Sequence, residues 1–160
     1  MKLLSKQLTC FSTIETLVSV AICSMILFPI GVWIQHSSHL YYQQTKENSV
    51  RLDVLFLLED IETHWMQFYY EPDAIRPKEG ITEQALFFKT TDQRLVRYYS
   101  KGNEVGRDIN YSTFQNLTQK VVKRFKVTRC YDGQYGQIQI CIEDILGRKY
   151  NKLLCFQLPS

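Results

Sequence analysis

Thr9-Cys10-Phe11-Ser12-Thr13-Ile14-Glu15-Thr16-Leu17-Val18 opens an apolar segment that carries no formal charge between Glu15 and Lys46. Residues 16–34 alone are about as many as a helix needs to cross a bilayer, which is roughly 20. The sequence therefore predicts a membrane-spanning helix with a single carboxylate, Glu15, at its edge. An ionised acid held in hydrocarbon costs roughly 2.5–3.5 kcal/mol on insertion scales, so Glu15 needs a partner.

Basic, small and aromatic residues precede the apolar segment in a distinctive order. Lys2 and Lys6 come first, Cys10 and Phe11 follow, and Glu15 is the fifth residue counted from Phe11. This order resembles the class III signal of type IV pilins and pseudopilins, in which Gly usually stands at the place of Cys10. The resemblance implies that a prepilin peptidase cuts the Cys10–Phe11 bond, that the new terminal amine of Phe11 is methylated, and that the apolar segment stays on the mature protein.

The cut would also supply the counter-charge that Glu15 needs. A free α-amine on Phe11 has an ordinary pKa of about 8 and is mostly cationic near neutral pH. Within one helix Glu15 points away from that terminus, but a neighbouring subunit shifted along a fibre axis can bring its own amine to the carboxylate. The pair would favour one register of assembly, and an unpaired Glu15 would disfavour a wrong register.

Two other interpretations of this segment are an ordinary signal peptide and a plain signal anchor. A signal peptide has a shorter apolar core followed by a small-x-small cleavage site, whereas this long core is followed by Gln35, His36 and Tyr41. A plain anchor explains the length and the lysines but leaves Glu15 without a reason.

The charge distribution predicts the topology of the chain. By the positive-inside tendency, the leader, residues 1–10, is cytoplasmic, and the chain crosses the cell membrane once. Residues 11–40 are then the transmembrane and assembly helix, and residues 41–160 form an extracytoplasmic domain that reaches the cell surface after assembly. Pro29 removes a backbone donor inside the helix, so we expect a kink there.

An amphipathic pattern continues the helix to about residue 70, and the helix should end before Pro72. As one element from Phe11 to Tyr70 it would be about 90 Å long at 1.5 Å per residue. We therefore expect a bend near Pro29 or a break around residues 45–48. The apolar stripe, with spacings of three and four, consists of Val50, Val54, Leu57, Leu58, Ile61, Trp65 and Phe68.

The C-terminal half predicts strands separated by turns. Three runs alternate cleanly, so their apolar side chains should face the helix. The expected fold is α+β and pilin-like, with a long N-terminal helix packed on an antiparallel sheet, a β-meander. The predicted strands are 85–90, 94–100, 104–110, 121–129, 137–143 and 149–158, and the alternating residues are Phe125 and Val127, then Ile138, Ile140 and Ile142, then Leu154, Phe156 and Leu158.

The chain contains five cysteines. Cys10 would leave with the leader and Cys23 lies in the membrane segment, whereas the other three fall on the opposite sheet face from the apolar sets. One disulfide, joining Cys141 to either Cys130 or Cys155, is one hypothesis for an exported domain, and three unpaired thiols are the other. The spacing fits no metal site, and we expect neither a metal nor a cofactor.

A second resemblance is looser and covers the whole chain. Residues 57–62 with Trp65 and Phe68, followed by a meander that ends in a short apolar strand, resemble the ComGF family of competence minor pseudopilins in Gram-positive bacteria. The resemblance implies a structural subunit needed for assembly or initiation of a transformation pilus and for DNA uptake. Its partners would be other major and minor pseudopilins and the prepilin peptidase. The alternatives are a minor pseudopilin of a type II secretion or type IV pilus system, and a membrane-anchored binding module that never assembles.

Direct DNA binding has weaker support in the sequence. The formal net charge of +3 falls to +1 when Lys2 and Lys6 leave with the leader, which is no electrostatic footprint for nucleic acid. Alternating charges on an exposed strand also keep it soluble, so we expect the contact with DNA to be indirect. Two features would favour direct binding, a basic run and aromatic residues that could stack on bases. The basic run is Lys120, Lys123, Arg124, Lys126 and Arg129, and the aromatic residues are Tyr98, Tyr99, Tyr111 and Tyr131.

Enzyme chemistry finds little support in the sequence. His36 and His39 are three residues apart, but no further acid or thiol follows at a useful spacing. His64 is interpreted as a helix surface residue. Because there is also no nucleophile motif and no phosphate-binding Gly-rich loop, we expect the chain not to be an enzyme.

Overall fold

The computed structural model describes residues 2–71, 75–132 and 135–157, with the backbone alone for residues 2–12 and 132. The chain forms two compact units, Met1–Lys46 and Glu47–Ser160, and each is described by itself. One helix, α1, Lys2–Trp65, contributes residues to both units.

The first unit is helical throughout its described residues. All side chains from residue 13 to residue 36 are exposed. The helix is long and apolar enough to cross a membrane. Its hydroxyl groups bond within the helix, since Ser24 Oγ donates to the carbonyl of Ala21 at 2.8 Å and Thr45 Oγ1 donates to the carbonyl of Tyr41 at 2.8 Å.

The helical assignment of α1 is continuous, so the break expected around residues 45–48 is absent. No Gly or Pro interrupts residues 42–48, and Thr45 Oγ1 donates to the backbone carbonyl of Tyr41 one turn earlier. Pro29 lies inside the helix, and the kink at Pro29 stays a prediction.

In the described part of the second unit, nine short to medium strands follow the helix, and they pair with one another in antiparallel fashion. They form a five-stranded sheet, order β1-β3-β4-β5-β6, and a four-stranded sheet, order β2-β7-β8-β9. The strands are β1 Phe68–Tyr69, β2 Thr82–Glu83, β3 Ala85–Thr90, β4 Leu95–Lys101, β5 Glu104–Ile109, β6 Gln115–Asn116, β7 Val122–Asp132, β8 Tyr135–Asp144 and β9 Lys149–Gln157.

This architecture confirms the α+β prediction of a long N-terminal helix with antiparallel strands. The single sheet expected from the meander is wrong, because the strands divide into two sheets. Period-2 alternation shows which residues share a face, but it does not show which hairpins hydrogen-bond to one another. The second unit therefore has two sheet faces to bury.

The core of the second unit is built from one stripe of α1 and the inner faces of both sheets. Val54, Leu57 and Ile61 are completely buried on the helix. Each fully buried side chain of this kind stabilises the fold by about 2 kcal/mol. The alternating residues 125 to 156 predicted to face the helix are buried in the same cluster, and Leu158 lies outside the described residues. Sheet residues of the core include Leu86, Phe88, Val96, Tyr98, Phe125, Val127, Ile138, Ile140, Ile142, Leu154 and Phe156.

The helix ends at Trp65, five residues before the predicted end. Phe68 fits the spacing of the apolar stripe, but it lies in β1 and pairs with Thr90 of β3. Its ring stacks on Trp65 with the two centroids 4.3 Å apart. Because a turn at residues 66–67 allows this stacking, Phe68 still joins the core although it has left the helix.

The predicted disulfide does not form, because Cys130, Cys141 and Cys155 are free thiols. The prediction that they point away from the core is consistent with their burial, since none of the three is buried. However, Cys141 is opposite Lys126 and Asn151, whereas Gln137 is opposite both Cys130 and Cys155. Cys141 lies four residues, or about 13 Å, along β8 from Gln137, the residue opposite the other two cysteines. A disulfide requires Cα atoms less than about 7 Å apart.

A buried acid closes the β8–β9 hairpin. Asp144 Oδ1 accepts from the backbone N–H groups of Leu146 and Arg148, both at 2.9 Å. Asp144 Oδ2 accepts from Arg148 Nε at 2.7 Å, and Arg148 Nη2 donates to the carbonyl of Glu47 on α1 at 3.1 Å. Burial alone would raise the pKa of Asp144, but these hydrogen bonds outweigh it and hold that pKa below its ordinary value.

We predict that Asp144 makes the second unit acid-sensitive. A lowered pKa in the folded state contributes stability above the unfolded value, about 3.9, and that stability is lost as pH falls through the folded pKa. Asp144→Asn should cost about 2 kcal/mol at neutral pH and should lose less stability than the natural chain below about pH 4. Denaturant unfolding of the full chain in detergent, followed by near-ultraviolet circular dichroism over a pH series, measures both effects.

Asp92→Asn is the control for this prediction, since Asp92 is an exposed acid in the β3–β4 turn. Its pH profile should match that of the natural chain. An unchanged acid profile in Asp144→Asn would contradict the role given to Asp144.

Candidate functional site

Glu15 lies on α1 with its side chain exposed. Together with Ile14, Val18 and Ser19 it lines a shallow depression of about 250 Å³ on the helix surface. Ile14 is 63% exposed and Val18 is 51% exposed. The carboxylate is thus set among apolar side chains that a single copy of the chain leaves uncovered.

No ion pair to Glu15 occurs among the side chains that the structure describes. The side chains of Cys10 and Phe11 lie outside that set, although their backbone belongs to α1. The cleavage between them and the methylation of Phe11 therefore stay predictions. The structure does place Glu15 on an uncovered helix surface.

Two histidines of α1 share one helix face. His36 and His39 line a depression of about 310 Å³ with Val32 and Gln35. Within the described ranges, no group of three or more His, Cys, Asp or Glu residues is arranged to hold a metal ion. The structure brings these two histidines no third ligand from the described part of the chain.

The predicted basic run does not form one cationic surface. Lys123 Nζ donates to Glu143 Oε1 at 2.7 Å, and Arg124 Nη1 is 3.8 Å from Glu143 Oε2. The hydrogen bond from Lys123 lowers the pKa of Glu143 below its ordinary value. Arg129 is only 4% exposed, and its Nη2 donates to the hydroxyl of Tyr131. Two cations of the run therefore share one acid, and another is buried.

A polar cluster that the sequence did not reveal joins the helix to the five-stranded sheet. Tyr98 of β4 is completely buried, and its hydroxyl donates to Asp60 Oδ2 at 2.7 Å. Arg107 Nη1 of β5 donates to Asp60 Oδ1 at 2.7 Å, and its Nη2 donates to Gln115 Oε1 at 2.8 Å. One helix carboxylate thus accepts hydrogen bonds from two neighbouring strands.

His64 belongs to this cluster, so its interpretation as a simple helix surface residue is wrong. Its Nδ1 lies 2.9 Å from the Asp60 carbonyl, and its Nε2 lies 3.2 Å from Arg107 Nη1. We place a ring proton on Nδ1, because Nδ1 then donates to the carbonyl and Nε2 accepts from the guanidinium. The side chain of His64 is only 21% exposed.

The charges and hydrogen bonds of the cluster are those of a contact that holds α1 against β4 and β5. Burial, followed by the hydrogen bond to Asp60, holds the pKa of Tyr98 far above its ordinary value, so the phenol stays neutral and donates. The Asp60 carboxylate is paired with the Arg107 guanidinium at 2.7 Å. The spacing of Asp60 and His64, four residues apart on a helix, was the one available signal, but their partners come from distant strands.

No protein-family model, no curated protein and no solved structure matches this chain.

We predict that Asp60 is a main polar determinant of stability in the second unit. Asp60→Ala leaves the Arg107 guanidinium without its carboxylate, which costs about 3 kcal/mol when a mostly buried ion pair loses one partner. Equilibrium unfolding in denaturant, with the full chain in detergent, measures the loss. Glu59→Ala is the matched control, because Glu59 is an exposed neighbour, and it should stay within about 0.5 kcal/mol of the natural chain. Equal effects of the two changes would argue against the cluster.

Proposed function

We propose that this chain is a minor pseudopilin, a structural subunit of a competence pilus that serves DNA uptake. In this proposal the prepilin peptidase cuts at Cys10–Phe11. Before assembly the subunit is anchored in the cell membrane with its N-terminus on the cytoplasmic side. Assembly with other major and minor pseudopilins then brings the extracytoplasmic domain to the cell surface. The observation that carries the proposal is Glu15, an acid on an uncovered face at the edge of a long apolar helix.

The exposed apolar surface supports assembly through the helix. The side chains of residues 13–36 are all exposed, and they include Leu17, Met25 and Phe28 at 70%, 76% and 76%. Lipid can cover this surface before assembly, and helices of other subunits can cover it afterwards. A lone carboxylate in either environment is costly, and the amine of a neighbouring subunit is the cation that the proposed cut creates.

The second unit supports the same role. Its core uses one stripe of α1, so the domain is attached directly to the helix that would enter the fibre. A subunit built in this way needs no catalytic centre to act, and the structural role does not require it to touch DNA. The length suits a minor subunit, and the pattern of residues 57–62 with Trp65 and Phe68 resembles the competence family. A minor pseudopilin of a type II secretion or type IV pilus system is the alternative.

We predict that neutralising Glu15 prevents incorporation into the fibre without preventing membrane insertion. Glu15→Gln keeps the size and removes the charge, and Glu15→Val also removes the polar group. In a host that carries the remaining pilus genes, either variant should fall at least roughly tenfold in the sheared surface fraction, a ratio that corresponds to about 1.4 kcal/mol. Quantitative immunoblotting of sheared and membrane fractions measures the distribution.

Glu47→Gln is the matched control, because it removes an exposed acid from the same helix outside the apolar segment. It should enter the fibre as the natural chain does. If Glu15→Gln is incorporated normally, the chain does not use this carboxylate to assemble, and an anchored binding module becomes the better account. Transformation frequency and protein secretion, measured in the same strains, separate a competence pilus from a secretion system.

A further inference from the structure

The β4–β5 hairpin borders a groove in the second unit that the proposed structural role does not use. The groove has a volume of about 540 Å³. One wall is the ring of Phe114, which lies over Gly106 so closely that a Cβ on that glycine would be 2.3 Å from the ring. The lining residues are Lys101, Gly102, Asn103, Glu104, Phe114, Asn116 and Lys120.

The groove combines one aromatic face with an excess of positive charge. Lys101 and Lys120 are exposed, and Lys101 Nζ lies 5.9 Å from the centroid of the Phe114 ring. Glu104 offsets one of the two lysines, so one positive charge remains. Asn103 and Asn116 add amide groups that can donate and accept hydrogen bonds.

The backbone at the groove is held in a conformation that side chains disfavour. Lys120 has a φ of 54°, in the left-handed region, which costs roughly 1–2 kcal/mol for a residue with a side chain. Such a residue persists only when its surroundings require it, and these positions cluster at binding sites. The strain at Lys120 is therefore a second, independent observation at the same groove.

An exposed ring, that of Tyr111, lies beside the next outward-facing pair of the same sheet. Tyr99 is opposite Gly106 and Arg97 is opposite Asp108, so the two pairs are about 7 Å apart along the strands. The Arg97 guanidinium is paired with Asp108 and lies 4.1 Å from the centroid of the Tyr111 ring. Tyr111 is 71% exposed.

The Tyr111 ring is also held on a strained backbone, since Tyr111 has a φ of 59°. The strand pairs next to which the two rings lie are about 7 Å apart along the sheet, and successive nucleotides of one strand are about 3.4 Å apart. Phe114 and Tyr111 therefore offer two aromatic rings beside neighbouring strand pairs of one sheet.

We propose that this groove and the Tyr111 ring bind single-stranded nucleic acid, with one base stacked on Phe114 and backbone phosphates at Lys101 and Lys120. Unpaired bases stack on aromatic side chains without regard to sequence, and lysines hold the phosphates. A duplex keeps its bases stacked inside and has no free face for Phe114. An acidic peptide would use the lysines but not the rings. This contact is direct, unlike the indirect one expected from the sequence.

The test uses the full chain in nanodiscs of zwitterionic lipid, so that it does not depend on fibre assembly. Fluorescence anisotropy of a labelled oligothymidylate measures binding over a series of salt concentrations. Phe114→Leu keeps an apolar side chain over Gly106, and it should weaken binding by roughly tenfold. Tyr111→Asn should also weaken binding, and it should fold well because asparagine tolerates the left-handed backbone better than tyrosine does.

Charge variants test the phosphate contacts in the same assay. Lys101→Gln should reduce the slope of log affinity against log salt by about 0.7, the value for one phosphate contact on a single strand. Lys126→Gln removes an exposed lysine on β7, and Tyr69→Asn removes an exposed ring on β1, so both control variants should bind as the natural chain does.

The proposal is overturned if oligothymidylate does not bind, or if the Phe114 and Tyr111 variants bind it as tightly as the natural chain. It is also overturned if a matched duplex or polyglutamate binds equally well, or if Lys126→Gln weakens binding as much as Lys101→Gln. Binding by a chain that fails to enter the fibre would support the groove while contradicting the pilus role.

Discussion

The second unit depends on the burial of one helix stripe by two sheets. Val54, Leu57 and Ile61 are completely covered, and each sheet contributes residues of its inner face to the same cluster. Neither sheet has another described helix to cover that face, so the end of α1 is the common partner of both. The polar cluster at Asp60 and the Arg148 contact to the Glu47 carbonyl then add directional bonds to a packing that is otherwise non-directional.

The first half of α1 has the opposite property, because its apolar side chains are exposed along residues 13–36. Burying such surface is worth about 25 cal/mol per Å², so this half requires lipid or other helices. Glu15 restricts the choice, since an ionised carboxylate among apolar side chains is costly without a partner. In the proposed function, one helix thus organises a folded domain at its end and assembly at its beginning.

The sequence predicted the elements well where periodicity was strong, as at β9, whose beginning at Lys149 matches the prediction. It failed where distant contacts decide the outcome. Phe68 fits the helical spacing, yet strand pairing and stacking on Trp65 hold it outside the helix. The alternation of side chains along a strand placed Cys141 on the correct face of the sheet. The distance from Cys141 to Cys130 depends instead on the register in which β7 and β8 pair. At the candidate sites, the motif alone identified Glu15. The network around Tyr98 needs the folded chain, because Asp60 and Tyr98 are 38 residues apart in sequence. The groove beside Phe114 lies within residues 101–120, but it forms only when β5 pairs with β6.

The most direct test of the pilin-like assignment is the N-terminal residue and the intact mass of the chain recovered from cells with an active prepilin peptidase. If the chain is processed as a pilin, we expect a mature chain that begins with N-methylated Phe11, with residues 1–10 removed. Cys10→Gly, which restores the small residue usual in the family, should be processed in the same way. A chain that still begins at Met1, in cells that process another prepilin, would contradict pilin-like processing of this protein.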